Sequence, residues 1–103
     1  MSESRVRERD LRQQIAADVD AALLDLRSAE AQQIVAAERL RLATDELAQA
    51  RERFKAGVAG NIEVIDAQSN LIRARDTDID ARFAAASARV ALARAVGVAS
   101  TLH

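Results

Sequence analysis

The sequence predicts an all-α fold: two long helices forming an antiparallel coiled-coil hairpin. Three observations predict it. Proline is absent, and two of the three glycines fall within one short stretch near the middle of the 103 residues. A seven-residue apolar repeat runs on both sides of that stretch. Half of the residues are apolar but only 2% are aromatic. Most of the apolar content is therefore Ala and small aliphatics, which suits helices that approach along a line. The length is enough for one domain. The expected layout is a single hairpin: a helix over about 5–56, a turn at 57–60, a helix over about 61–96 and a tail at 97–103.

The first arm has weak start signals, with Ser2 or Ser4 as possible caps. No breaker follows from Arg5 to Ala56. Polar residues dominate up to Gln14, and then the repeat becomes plain. One row reads Val19, Leu26, Gln33, Leu40, Leu47 and Phe54; its companion reads Ala22, Ala29, Ala36, Ala43 and Ala50. This is a coiled-coil seam with large residues on one side and Ala on the other. The Ala row lets two backbones come closer than the usual ~8–10 Å. Gln33 interrupts the large row once, and a register role and simple tolerance both remain open.

The turn is expected at Ala56–Asn61. Gly57 can take the left-handed conformation that ends a helix, because it has no Cβ. Asn61 is positioned to cap the next helix through its side chain. Glu63 would then meet the positive end of the helix dipole. A reversal this short forces antiparallel neighbours.

The second arm repeats the grammar. Its large row is Val64, Leu71, Asp78, Ala85 and Leu92; its Ala row is Ala67, Ala74, Ala81, Ala88 and Ala95. The helix is expected to stop near Val96, with Arg94 in its last turn and Gly97 as a left-handed cap. The tail reads as unstructured, and the lone His103 at its end as a cloning remnant rather than a ligand. At ~1.5 Å per residue the arms are about 75 and about 52 Å long. Residues 5–19 of the first arm are thus expected to lack a partner within the chain.

A two-helix hairpin needs one seam per helix, and this chain has more. Leu23, Leu24, Ala31, Ile34, Val35 and Leu42 lie outside the seam on the first arm, and Ile65, Ile72, Ile79, Phe83 and Val90 on the second. The row Ile65, Ile72, Ile79 and Phe83 points to a second interface, through which hairpins associate side by side. The alternative is that these residues only widen one core face.

No catalytic constellation, metal cluster, cofactor motif or phosphate loop is found. Asp76, Asp78 and Asp80 alternate, but the glycine and terminal glutamate of a calcium loop are missing; a solvated charged stretch is the expectation. Gly57 and Gly60 read as turn glycines. With 15 basic and 16 acidic residues mixed along the chain, nothing attracts nucleic acid. No run approaches ~18 uninterrupted apolar residues, so no membrane span is expected. The polar start Met1–Arg5 lacks an apolar signal core, which implies either a cytoplasmic chain or a piece of a longer precursor.

The stretch from Leu47 to Gly97 resembles the TolC-like outer-membrane efflux ducts. That family's pattern is an aromatic residue, a glycine three residues later, an aliphatic–acidic–aliphatic–aliphatic–Asp–Ala run, and an Ala/Leu-rich helix ending in Gly. The matching positions are Phe54, Gly57, Ile62-Glu63-Val64-Ile65-Asp66-Ala67-Gln68, Leu71, Ala74, Leu92 and Gly97. The upstream arm matches only by its heptads. Two positions depart from the pattern. Phe54 stands where Tyr is frequent and has no hydroxyl, and Ala59 stands where some members carry a basic residue.

The resemblance implies a periplasmic hairpin of an α-barrel in which three chains each supply two hairpins. It implies tip contact with the coiled-coil hairpin of a periplasmic adaptor protein, through Ala56, Gly57, Val58, Ala59 and Gly60. It also implies neighbouring hairpins of the same homotrimeric duct, and the export settings of type I secretion and multidrug efflux. Two other readings compete. One is the hairpin of the adaptor itself, which would be flanked by lipoyl-like strands. The other is an unrelated coiled-coil scaffold, which needs no specific tip chemistry. An enzyme is the least expected.

Overall fold

The structure, a computed structural model, describes residues 2–101. Among them are two helices and no strand: α1, Ser2–Lys55, and α2, Asn61–Ser100. They form the expected all-α helical hairpin. α1 can run for 54 residues because nothing in it removes a backbone donor or demands an unusual φ. Arg41 decorates its exposed side. Its guanidinium donates to both carboxylate oxygens of Glu38, at 2.6 and 3.2 Å, and to Asp45 at 3.1 Å. These hydrogen bonds, and secondarily the Arg41 charge, hold the Glu38 carboxyl below the usual glutamate range.

The contacts divide the chain into two compact units. One comprises residues 31–83 with the turn, and the other joins the start of α1, up to Glu30, to the end of α2, from Ala84. In the turn-bearing unit, Ala43, Leu47 and Ala50 of α1 pack with Ala67 and Leu71 of α2, and Leu40, Val64 and Ala74 cover the edges. Burying Leu47 and Leu71 stabilises this seam by roughly 1.5–3 kcal/mol each. In the other unit Ala85 is fully enclosed, with 0% of its surface exposed. An ion pair at the contact limit, 4.0 Å, links Glu30 to Arg89 there.

Burial follows the two heptad rows closely. Val19, Ala22, Leu26, Ala29, Gln33, Ala36, Leu40, Ala43, Leu47 and Ala50 are buried or half-buried, as are Val64, Ala67, Leu71, Ala74, Asp78, Ala81, Ala85, Ala88, Leu92 and Ala95. Phe54 departs from its row, being 46% exposed. Phe54 lies in the last turn of α1, at the end of the paired segment beside the turn. Residues 3–14 are exposed throughout, but Ile15 and Val19 are half-buried, so the exposed stretch is shorter than the expected 5–19.

Three expectations need correction. Asn61 is the first helical residue of α2, so Gly60, not Asn61, occupies the capping position. Gly97 does not end α2. Its φ is not positive, and the helix runs on to Ser100, so Arg94 is not in the last turn. Hydroxyls take up carbonyls at the end: Ser100 donates to Gly97 O at 2.9 Å and Thr101 to Val98 O at 2.7 Å. A glycine continues a helix at a cost of about 1 kcal/mol, and here Ser100 and Thr101 serve the carbonyls of Gly97 and Val98. The end of the expected tail, including His103, lies outside the described residues. Finally, the alternating aspartates are not uniformly solvated. Asp76 and Asp80 are exposed, but Asp78 is 3% exposed, because it falls on the seam and its neighbours two residues away do not.

By length and composition alone, α2 also contains a stretch apolar enough to cross a membrane, where the sequence reading expected none. The difference arises because Ala and scattered aliphatics raise the average without forming one unbroken apolar run.

Candidate functional site

The candidate site is the turn, with the aliphatic row that leads from it along α2. The turn is built by the backbone. Ala56 N–H donates to Glu52 O at 3.0 Å, completing the last helical bond. The chain then enters the left-handed region at Gly57, φ 76°, the one positive φ among the described residues. Gly57 N–H reaches Phe54 O at 3.0 Å, and Val58 N–H reaches Arg53 O at 2.9 Å. These bonds, back three and back five residues, define the Schellman ending of a helix. Ala59 N–H shares the Arg53 carbonyl at 3.2 Å. The carbonyls of Glu52, Arg53 and Phe54 are thus satisfied without help from any tip side chain.

A Schellman ending usually carries an apolar contact between the residue after the glycine and the third-last helical position. Here those are Val58 and Arg53, and no such contact closes. Val58 is left 69% exposed. Of the five expected tip residues, Ala56, Gly57, Val58 and Gly60 are exposed and Ala59 is half-buried. Val58 therefore forms the apolar projection, with bare backbone at Gly57 and Gly60 on either side. A Cβ at either glycine would meet nothing within 4 Å. Gly57 is required by its φ and not by crowding.

Two shallow grooves flank the seam near the tip. One is rimmed by Glu46, Arg53, Glu63 and Asp66. Arg53 and Glu63 pair across it at 3.5 Å, a contact that sequence reasoning missed because it depends on the register of two helices. The other is rimmed by Leu71, Ile72, Arg51 and Arg75. Ile65, Ile72, Ile79 and Phe83 are all exposed, as are Leu24, Ile34, Val35, Leu42 and Val90. They do not widen the core, and a long aliphatic surface remains uncovered. Among the described residues no cluster of His, Cys, Asp and Glu could hold a metal ion.

The described residues thus form a helical hairpin with an exposed aliphatic flank and a tip built by main-chain bonds. The chain is a member of the outer membrane efflux protein family, whose family model matches residues 1–98. Comparison with curated proteins and with solved structures gave no match. The family is one of efflux channels rather than enzymes, and the match extends over the upstream arm as well as the turn.

Proposed function

We propose that the chain is a periplasmic hairpin of an outer-membrane export duct, of the kind that serves multidrug efflux or type I secretion. Its tip, Ala56 to Gly60, docks against the coiled-coil hairpin of a periplasmic adaptor protein. Its flank, along Ile65, Ile72, Ile79 and Phe83, packs against neighbouring hairpins of the same homotrimeric duct. The hairpin bears no catalytic role; it transmits position from adaptor to tunnel.

The observation that carries this reading is the tip itself. Its conformation is held by main-chain bonds to Phe54 and Arg53, so its outward surface is free for contact. That surface is small: one exposed valine and unshielded backbone. It suits a close tip-to-tip approach better than recognition by long side chains.

The test compares Gly57→Asp with Ala59→Ser in a full-length duct carrying this hairpin. Export is measured alongside abundance in the outer membrane. Gly57→Asp strains the left-handed position by roughly 1 kcal/mol or more and places a charge in the contact. It is expected to lower export strongly, while Ala59→Ser is mild. Full export by a normally abundant Gly57→Asp protein would leave the turn a purely structural role.

A further inference from the structure

Asp78 occupies a seam position where the repeat calls for a large apolar residue, and it is 3% exposed. Its Oδ2 accepts from Arg82 Nε at 3.0 Å, and the Arg82 side chain is itself 65% exposed. Its Oδ1 is buried with no hydrogen-bond partner in the protein. Enclosure on this scale also prevents a neighbouring hairpin from supplying one. A buried acceptor left unpaired is a standing penalty of the closed seam, and it is relieved as soon as the helices part and water reaches the carboxylate.

The apolar packing around the turn stops just short of this point. On α2 the contiguous cluster reaches Ala74, one helical turn before Asp78. We infer that Asp78 is an opening point built into the hairpin. The helices separate there more readily than along the segment from Ala43 and Ala74 to the turn, which stays closed. Local opening of this kind is set by the burial and hydrogen bonding of the segment concerned. Asp78 acts by leaving an acceptor unsatisfied, so a residue without that acceptor removes the weak point.

Native-state hydrogen exchange on the 103-residue chain, read by mass spectrometry, tests this together with thermal melting. In the wild type, amides of residues 43–50 and 67–74 are expected to exchange at least tenfold more slowly than those of residues 78–82. Asp78→Leu restores the expected large residue. Asp78→Ala copies Ala85, the next member of the same row, which the seam accepts fully enclosed. Each is expected to erase the difference and to raise the melting midpoint by about 4–8 °C. Asp76→Ala, at an exposed position on the same helix, controls for helix propensity and is expected to produce a smaller rise. Equal protection on both sides of Asp78 in the wild type would overturn the inference. So would Asp78→Leu and Asp78→Ala that gain no more than Asp76→Ala.

Discussion

Arg53 and Glu63 meet at 3.5 Å across the turn, joining the last turn of α1 to the first turn of α2. Arg53 has two separable roles. Its carbonyl anchors the tip through Val58 and Ala59, and its guanidinium bridges the helices. Only the second is lost on substitution. Both side chains are about half exposed, so solvent screens the pair. Arg53→Ala is expected to cost less than about 1 kcal/mol, with the loss shrinking as salt is added. Urea denaturation at two salt concentrations measures it. A loss of several kcal/mol would mean that the tip depends on the side chain and not on the carbonyl.

Gly57 and Gly60 should respond very differently to the same methyl group. Neither is crowded, but only Gly57 has a positive φ, at 76°. Gly57→Ala is expected to destabilise the hairpin by about 1 kcal/mol or more. Gly60→Ala should cost less, within about 1 kcal/mol, because Ala is a poorer N-cap than Gly but no positive φ is strained there. Parallel melting curves give the comparison, and equal losses at both positions would contradict the assigned geometry.

Ala29 and Ala88 are both half-buried, next to the linked residues Glu30 and Arg89. Spin labels at these two positions should report a short distance. A single uninterrupted helix would place them roughly 90 Å apart. Dipolar spectroscopy on the doubly labelled chain separates these outcomes.

The exposed row of Ile65, Ile72, Ile79 and Phe83 predicts concentration-dependent self-association. Each large aliphatic side chain covered contributes roughly 1.5–3 kcal/mol. Several together can offset the entropy lost on association, though only at high concentration. Sedimentation should show the wild type assembling and an Ile72→Glu, Ile79→Glu variant remaining monomeric. Monomers in both cases up to millimolar concentration would leave the row without this role.

The seam was legible in the sequence because a strict heptad ties sequence position to helix face. The rows through Leu40, Leu47, Ala67 and Leu71 could be written down before any coordinates, and so could the left-handed glycine at position 57. What could not be read were the places where a row meets an end or an exception. Phe54 continues its row, but the row alone does not say where the paired segment ends. Gly97 permits a cap without requiring one, and the hydroxyls of Ser100 and Thr101 favour further helix. Asp78 belongs both to a heptad row and to a charged run, and only packing decides which membership governs its burial. The Arg53–Glu63 contact depends on relative axial register, which periodicity alone does not fix.

The tip's reliance on main-chain bonds has an evolutionary consequence. One torsion at Gly57 and a handful of carbonyl acceptors maintain the reversal, and the Val58 side chain is left mostly exposed. The side chain at position 58 is therefore free to vary while the reversal is preserved, whereas Ala59 is half-buried. What the tip presents and how it folds become separable traits in this hairpin: the outward side chain at position 58 can be exchanged while the glycine at 57 is left untouched.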